Sequence, residues 1–188
     1  KDPESPYGIA KFAVELYLSY YARVHGLDYI ALRFANVFGP RQDPHGEAGV
    51  VAIFCQRILN GQPLTVFGDG GQTRDYVFVG DVARAHVLAA KRASIPAGRV
   101  DDRAFNLGTG RETSVTTLAE TLMKVAGRAV SLQHAPLRPG EQRRSVVSIA
   151  KAEAGLGWTP QVTLEDGLRR TFAWFSTPEV KSFKTKVF

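Results

Sequence analysis

Apolar and polar positions alternate along this chain in blocks of helical and strand period, in the order expected of an α/β protein. Ile9, Ala13, Leu16, Tyr17, Tyr20, Tyr21 and Val24 recur at helical spacing, in a helix begun by Pro6 and stopped by Gly26. The stripe is wide, so this helix should pack on a sheet and on a second surface. Residues 29–34 read as a buried strand that ends in a loop at 36–40 and continues into the polar segment 41–46. Residues 50–59 look helical up to Asn60-Gly61, and 64–67 read as a short strand broken by Gly68-Asp69-Gly70-Gly71. A further strand covers 76–79, after which Asp81 caps a helix through residue 90. Residues 104–107 form a strand ending at Gly108-Thr109-Gly110. Ser114 caps a helix to about residue 125, with Gly127 as its terminator. Residues 130–132 and 145–147 are short strand candidates, and 151–156 and 164–175 are the closing helices. The second of these is introduced by Thr163, with Glu165 and Asp166 in its first turn. No internal repeat or low-complexity segment is visible.

With 188 residues, 44% of them apolar, the chain suits one domain or one and a half, with enough material for a real core. Its one cysteine, Cys55, sits in the apolar run 50–55 and reads as a buried, inert thiol. A lone cysteine excludes an internal disulfide framework and fits a reducing, cytoplasmic setting. No apolar run is long enough for a membrane span, and none reads as a signal peptide. The net charge of +6 and a pI near 9.6 permit anionic partners. Basic residues with interleaved aromatics occur only in the tail 181–186, which reads as a solvated end, so nucleic-acid binding is not expected. His25, His45, His86 and His134 lack ligand spacing, so no metal is expected. The opening Lys1-Asp2-Pro3, without an initiator Met, reads as cut from something longer.

Candidate chemistry begins at Ser5-Pro6-Tyr7, with Lys11 four residues after the tyrosine. Residues four apart share a helix face, which sets a phenol beside an ammonium at the first turn. A free phenol titrates near pH ~10 and is a poor base at neutral pH. A neighbouring cation, helped by the positive end of the helix, stabilises a phenolate and so can build a general base for an alcohol proton. Taken alone, the pair is equally the content of an ordinary amphipathic helix. The segments downstream change that balance.

Those segments are Arg33-Phe34-Ala35-Asn36-Val37-Phe38-Gly39-Pro40, Gly68-Asp69-Gly70-Gly71-Gln72-Thr73-Arg74-Asp75-Tyr76, Phe105-Asn106-Leu107-Gly108-Thr109-Gly110, Arg138-Pro139-Gly140-Glu141 and Leu156-Gly157-Trp158-Thr159-Pro160. In this order, and together with the Tyr7–Lys11 pair, they resemble the C-terminal part of the extended short-chain dehydrogenase/reductases, the NAD-dependent epimerases and dehydratases of nucleotide sugars. The likeness is closest to the UDP-glucose 4-epimerases of bacteria, includes the stretch 42–47, and runs to about residue 175. Each motif is short, but their order and spacing together are specific.

The resemblance implies the last strands and helices of a Rossmann-type doubly wound parallel sheet, from residues 1–40 and 81–111. Residues 41–80 and 112–188 would make a smaller α/β lobe that binds the nucleotide sugar. Strands 29–34 and 104–107 should then be parallel neighbours joined by a long crossover. In the parent enzyme Tyr7 would take the proton of the sugar 4-hydroxyl as hydride leaves for bound NAD, giving a transient 4-keto sugar. Lys11 would hold the nicotinamide ribose, Phe34 would line the nicotinamide end, and Asn36 would reach the substrate. Val66 and Phe67, within strand 64–67, would wall the uracil through backbone groups. Arg74 and Arg138 resemble the two arginines that clamp the UDP diphosphate, which suits a guanidinium fork. Ser145, seven positions after Arg138, matches the family position facing the sugar C2 substituent. A small residue there implies room for N-acetylated sugars as well as for UDP-glucose and UDP-galactose. The family helix matching 7–26 packs on a partner subunit, so a homodimer is implied.

Plainer readings stand beside these. Arg74 could pair with Asp75 or Asp69, Arg138 could be surface charge, Asn36 a turn residue, Ser145 the start of a strand, and strand 64–67 simply core. The glycine-rich turn that cradles the NAD pyrophosphate in the family is not matched. Gly68–Gly71 leads into a strand, and Gly108-Thr109-Gly110 lacks a third glycine, so both read as turns. The Ser/Thr that assists the tyrosine would lie upstream of residue 1. The alternatives are a nucleotide-sugar 4,6-dehydratase or decarboxylase and, for the isolated chain, a non-catalytic UDP-sugar-binding unit or a scaffold without ligand.

Overall fold

The computed structural model describes residues 3, 5–45, 49–92, 94–96, 98–138 and 140–177. The opening Lys1-Asp2, Gly46 and Glu47 of the stretch 42–47, Pro139 and the basic tail 181–186 lie outside the described residues.

Helix α1 (Pro6–His25) begins where Ser5 Oγ accepts from the Gly8 amide, and it ends on Gly26 in the left-handed conformation that glycine adopts without strain. The chain continues through β1 (Ala31–Phe34), β2 (Asn36–Phe38), α2 (Val50–Leu59), β3 (Leu64–Phe67), β4 (Thr73–Arg74) and β5 (Tyr76–Phe78). It then passes through α3 (Val79–Lys91), a 3-10 turn (Val100–Arg103), β6 (Ala104–Leu107) and β7 (Thr113–Ser114). Next come α4 (Val115–Ala126), β8 (Leu132–Ala135), α5 (Ala150–Leu156) and α6 (Leu164–Phe175). Ser114 and Thr163 cap α4 and α6 through their side chains, as their sequence positions imply.

The described strands pair two by two. β1 runs parallel to β6 in the register Leu32 with Phe105, so the expected long crossover is present. β2 is parallel to β5, β3 is parallel to β8, and β4 is antiparallel to β7. These pairs, three of them parallel, make a mixed α/β architecture of the Rossmann type. Two apolar clusters fill it. One joins α2, β3, α4 and α6 through Phe54, Ile58, Leu64, Leu118, Leu122 and Leu168. The other joins β6, α3 and α5 through Phe105, Leu107, Ala85, Ala152 and Trp158. Cys55 is fully buried in the first cluster, and burial pushes its thiol up to about 12, which makes it inert as a nucleophile.

Four local expectations are corrected. Residues 36–38 form a strand and not a loop, because at Ala35 the chain changes neighbour. The Ala35 amide still donates to Leu107 O of β6, whereas the Asn36 amide donates to Asp75 O. Residues 130–132 and 145–147 are not the observed strands. The first is displaced to β8, and the second belongs to an extended strap whose Arg143 O and Ser145 N bond the Thr73 backbone. Asp81 does not cap its own helix, which starts at Val79. Its carboxylate lies buried and accepts instead from the backbone amides of Gln161 and Val162, both at 3.0 Å. Helix α1, finally, buries only Ser19 and Ala22, and leaves Tyr17 at 68% and Val24 at 56% exposure. Its wide apolar stripe is therefore mostly uncovered.

Candidate functional site

Tyr7 and Lys11 lie on one face of the first turns of α1, both exposed, with the Lys11 ammonium 5.2 Å from the centre of the Tyr7 ring. Pro6 at the helix start and the Ser5 cap fix that turn locally, so the pairing follows directly from the four-residue spacing. Among the described residues, no hydrogen bond or ion pair joins Tyr7 or Lys11 to the other candidates. Helix α1 is tied to the sheet two turns later, where Arg33 forks onto the Glu15 carboxylate and also reaches Asp101 at 2.8 Å. That pairing holds the Arg33 guanidinium firmly charged.

Phe34 closes β1 with its ring half exposed and lies against His86, 5.6 Å between ring centres. Two residues on, Asn36 has an exposed side chain opposite Tyr76 in the β2–β5 register.

The remaining candidates cluster around β3, β4 and the turn at 138–141. Val66 is fully buried in β3, so its side chain belongs to the core and only its backbone can face a ligand. Phe67, next in the strand, is partly exposed and carries the Arg138 guanidinium stacked over its ring at 3.8 Å. Arg138 O accepts from the Glu141 amide, and Glu141 pairs with Arg74 at 3.4 Å. The partner of Arg74 is thus Glu141, across 67 residues, rather than its neighbours Asp75 or Asp69. Arg74 also donates to Thr73 O and Gln142 O, both at 2.8 Å, which leaves part of its donor set for a ligand.

Sequence reasoning passed over the polar groups behind these arginines. Gln72 and Tyr76 are buried, and Gln72 Oε1, the Tyr76 hydroxyl and Glu141 Oε2 find no hydrogen-bond partner among the described residues. Burial lifts the Tyr76 phenol to about 12, with the Arg74 charge opposing and the Glu141 charge adding. Unpartnered buried polar atoms beside two guanidinium groups are characteristic of a site completed by a polar ligand. No local signal marks Gln72 or Tyr76, since their burial comes from packing.

The strap 141–148 lies along β4. Arg143 forks onto Asp69 at 2.6 and 2.8 Å, and Arg144 grips Glu112, which also accepts from the Thr73 hydroxyl at 2.6 Å. These arginines hold both carboxyls low, Glu112 at about 2, so the strap keeps its ion pairs throughout the neutral range. Ser145, next after Arg144 and half-buried, donates its amide to Thr73 O beside Arg74. The structure therefore brings Phe67, Arg74, Arg138 and Ser145 into one region, with Asn36 one strand away.

The loop Gly108-Thr109-Gly110 turns its amides inward, toward Asp75. Its amides are already taken: Thr109 N donates at 2.7 Å and Gly110 N at 3.0 Å to the carboxylate of buried Asp75. Among the described residues no cluster of metal-ligating side chains occurs, and no helix is long and apolar enough to cross a membrane.

Comparison with known proteins identifies the family. Residues 1–108 match the model of the NAD dependent epimerase/dehydratase family. A UDP-glucose 4-epimerase of Mycolicibacterium smegmatis is 46% identical over 174 residues, covering 93% of this chain and 54% of that protein. The UDP-glucose 4-epimerase of Thermotoga maritima, solved with UDP-glucose, superposes with a TM-score of 0.87 at 46% identity over 97% of this chain and 55% of its own. That of Thermus thermophilus, solved with NAD, gives 0.84 at 44% identity, over 94% of this chain and 56% of its own. The chain spans about half the length of the relatives it matches. By the match over residues 1–108 and the identity to these relatives, the chain belongs to the NAD dependent epimerase/dehydratase family.

Proposed function

We propose that these residues supply the base and the nucleotide-sugar grip of a UDP-sugar 4-epimerase. The observation that carries the reading is the pair Arg74 and Arg138, joined through the Glu141 turn over the Phe67 ring, beside buried acceptors that lack partners. Two guanidinium forks suit a diphosphate, and an aromatic edge with backbone groups suits a flat base. The division into residues 1–40 and 81–111 on the cofactor side, and 41–80 and 112–188 on the sugar-nucleotide side, belongs to the same reading.

NAD, when bound, accepts a hydride from the sugar C4 and returns it to the other face. Tyr7, Lys11 and Phe34 are exposed and so available to its nicotinamide-ribose end, whereas the Gly108–Gly110 loop is closed to its pyrophosphate by Asp75. Tyr7 takes the 4-hydroxyl proton and gives it back, with Lys11 stabilising the charge on the phenol oxygen. The clamp keeps the nucleotide fixed while the 4-keto sugar turns over, and Asn36 meets the sugar. The uncovered apolar face of α1 serves as the contact between two copies.

Calorimetry tests the grip. UDP should bind, and Arg138→Ala should weaken it by about tenfold or more, since a desolvated charge-assisted contact is worth roughly 1.5–3 kcal/mol. Equal UDP affinity in wild type and variant removes Arg138 from the site.

A wider substrate range follows from Ser145. It is small, carries a hydroxyl able to bond an amide, and lies beside Thr73. Acceptance of UDP-N-acetylglucosamine alongside UDP-glucose is expected. Ser145→Tyr should abolish turnover of the first and largely spare the second, because bulk excludes only the larger C2 substituent. Equal loss of both, measured as kcat/KM, would point to general disruption and not to a selectivity gate.

A further inference from the structure

Asp75 occupies the point where one extended segment passes between two strand pairs. Arg74 before it belongs to β4, which pairs with β7, and Tyr76 after it belongs to β5, which pairs with β2. The residue is 1% exposed, yet its side chain makes no ion pair with neighbouring Arg74, whose guanidinium is held by Glu141. Its two carboxylate oxygens instead take three donors from the loop after β6. Oδ1 accepts from Thr109 N at 2.7 Å and from the Thr109 hydroxyl at 2.6 Å, and Oδ2 accepts from Gly110 N at 3.0 Å. Its backbone carbonyl accepts from Asn36 N at 2.8 Å. Gly108, the first residue of that loop, lies so close that a methyl group there would overlap both the Asp75 carboxylate and the Val147 side chain of the strap. Val147 is two residues from Ser145.

Three segments that carry candidate substrate contacts therefore converge on this one residue. Asn36 is held through the backbone, Arg74 is covalently adjacent, and Ser145 is placed through Val147 against Gly108. We infer that Asp75 is a positioning residue that sets the register between the sugar end of the site, at Asn36 and Ser145, and its phosphate end, at Arg74. The inference rests on the nucleotide-sugar reading above. The physical basis is rigidity: three charge-assisted or short hydrogen bonds inside the protein fix a chain crossing that the short strands alone would leave loose. A neutral donor pair at the same place could not replace it, because both loop amides need acceptors.

The test uses Asp75→Asn and Gly108→Ala in the full-length protein. In the first, an amide oxygen can still serve Thr109, but the NH2 group faces the Gly110 amide, donor against donor. The second keeps the carboxylate and displaces it sterically, so it stands if the first folds poorly. UDP alone engages the arginine end, whereas turnover requires the sugar to be aligned as well. Both variants should lower kcat by about tenfold to hundredfold per folded molecule, the usual cost of a misplacement near 1 Å. The dissociation constant of UDP should stay within about threefold, since Arg74 keeps Glu141, Thr73 and Gln142. If kcat stays within twofold of wild type in both variants, or falls in step with UDP affinity, the inference is overturned and Asp75 is a stability residue. Failure of the unmutated protein to bind UDP or to turn over a UDP-sugar would be read in the wild-type arm. It would overturn the nucleotide-sugar reading and this inference with it.

Discussion

Tyr7→Phe should lower turnover in the full-length protein by about 10²–10⁴, the worth of a positioned acid/base group, while the affinity for UDP-sugar changes less than twofold or so. The variant keeps the ring and removes only the hydroxyl. With the side chain 68% exposed at the start of α1, no core packing is disturbed and stability should not move. The separation of effects is what identifies the role. A group that acts only while a proton is in transit changes kcat and leaves ground-state binding intact. Lys11→Met is the companion variant, since it preserves the length and apolar body of the side chain and deletes the charge 5.2 Å from the Tyr7 ring. It should lower turnover while leaving UDP affinity unchanged, because the cation that would stabilise charge on the phenol oxygen is gone. Near-normal turnover of the Phe variant at neutral pH would make Tyr7 an ordinary exposed helix residue.

The second large effect concerns stability. Trp158→Ala should destabilise the protein by about 3–5 kcal/mol, read as a lower urea midpoint at unchanged slope. Trp158 is fully buried between α3 and α5, and its indole nitrogen donates at 2.8 Å to Asp81 O. Truncation removes a large apolar side chain, leaves a cavity and deletes the hydrogen bond from the indole to Asp81 O. Against a total stability of roughly 5–15 kcal/mol, this is a substantial fraction. Asp81→Ala attacks the same junction from the other side. It leaves the Gln161 and Val162 amides without that acceptor and removes the ion pair to Arg84, which keeps its bond to Thr159 O, at a cost of about 1–3 kcal/mol. The two residues share one network, so the double variant should lose less than the sum. Full additivity would mean that α3 and the segment after α5 are held independently. A change below about 1 kcal/mol for Trp158→Ala would place the Trp158 segment outside the cooperative core.

The contrast between these two sites also shows what could be read before any coordinates existed. The Tyr7–Lys11 face, the helix start at Pro6, the Ser114 and Thr163 caps, and the Gly26 and Gly127 stops are all present at their expected positions. Each depends on residues within about four positions of one another, where chain geometry alone decides the contact. The parallel pairing of residues 31–34 with 104–107 was expected, for 29–34, from the family resemblance and not from the local pattern. The order of short motifs led to the family for a different reason, since each preserves one residue type at one spacing.

Other features were decided only by the tertiary structure. Asp81 reads as a helix cap and instead serves backbone amides some eighty residues away. Arg74 stands between Asp69 and Asp75 in sequence, yet Glu141 holds it, while Asp69 goes to Arg143 and Asp75 to the Gly108–Gly110 loop. Residues 36–38 became a strand because Tyr76–Phe78 came alongside. Residues 145–147 did not, because only Thr73 offers them backbone partners. In each of these cases the local sequence is compatible with several partners of similar energy, and a charged or polar group takes the one that burial leaves within reach. Amino-acid order thus determined the local elements, the pairing of Tyr7 with Lys11 on α1 and the family. The folded chain determined which carboxylate meets which donor, because that choice is made among groups far apart in sequence and close only once the core has formed.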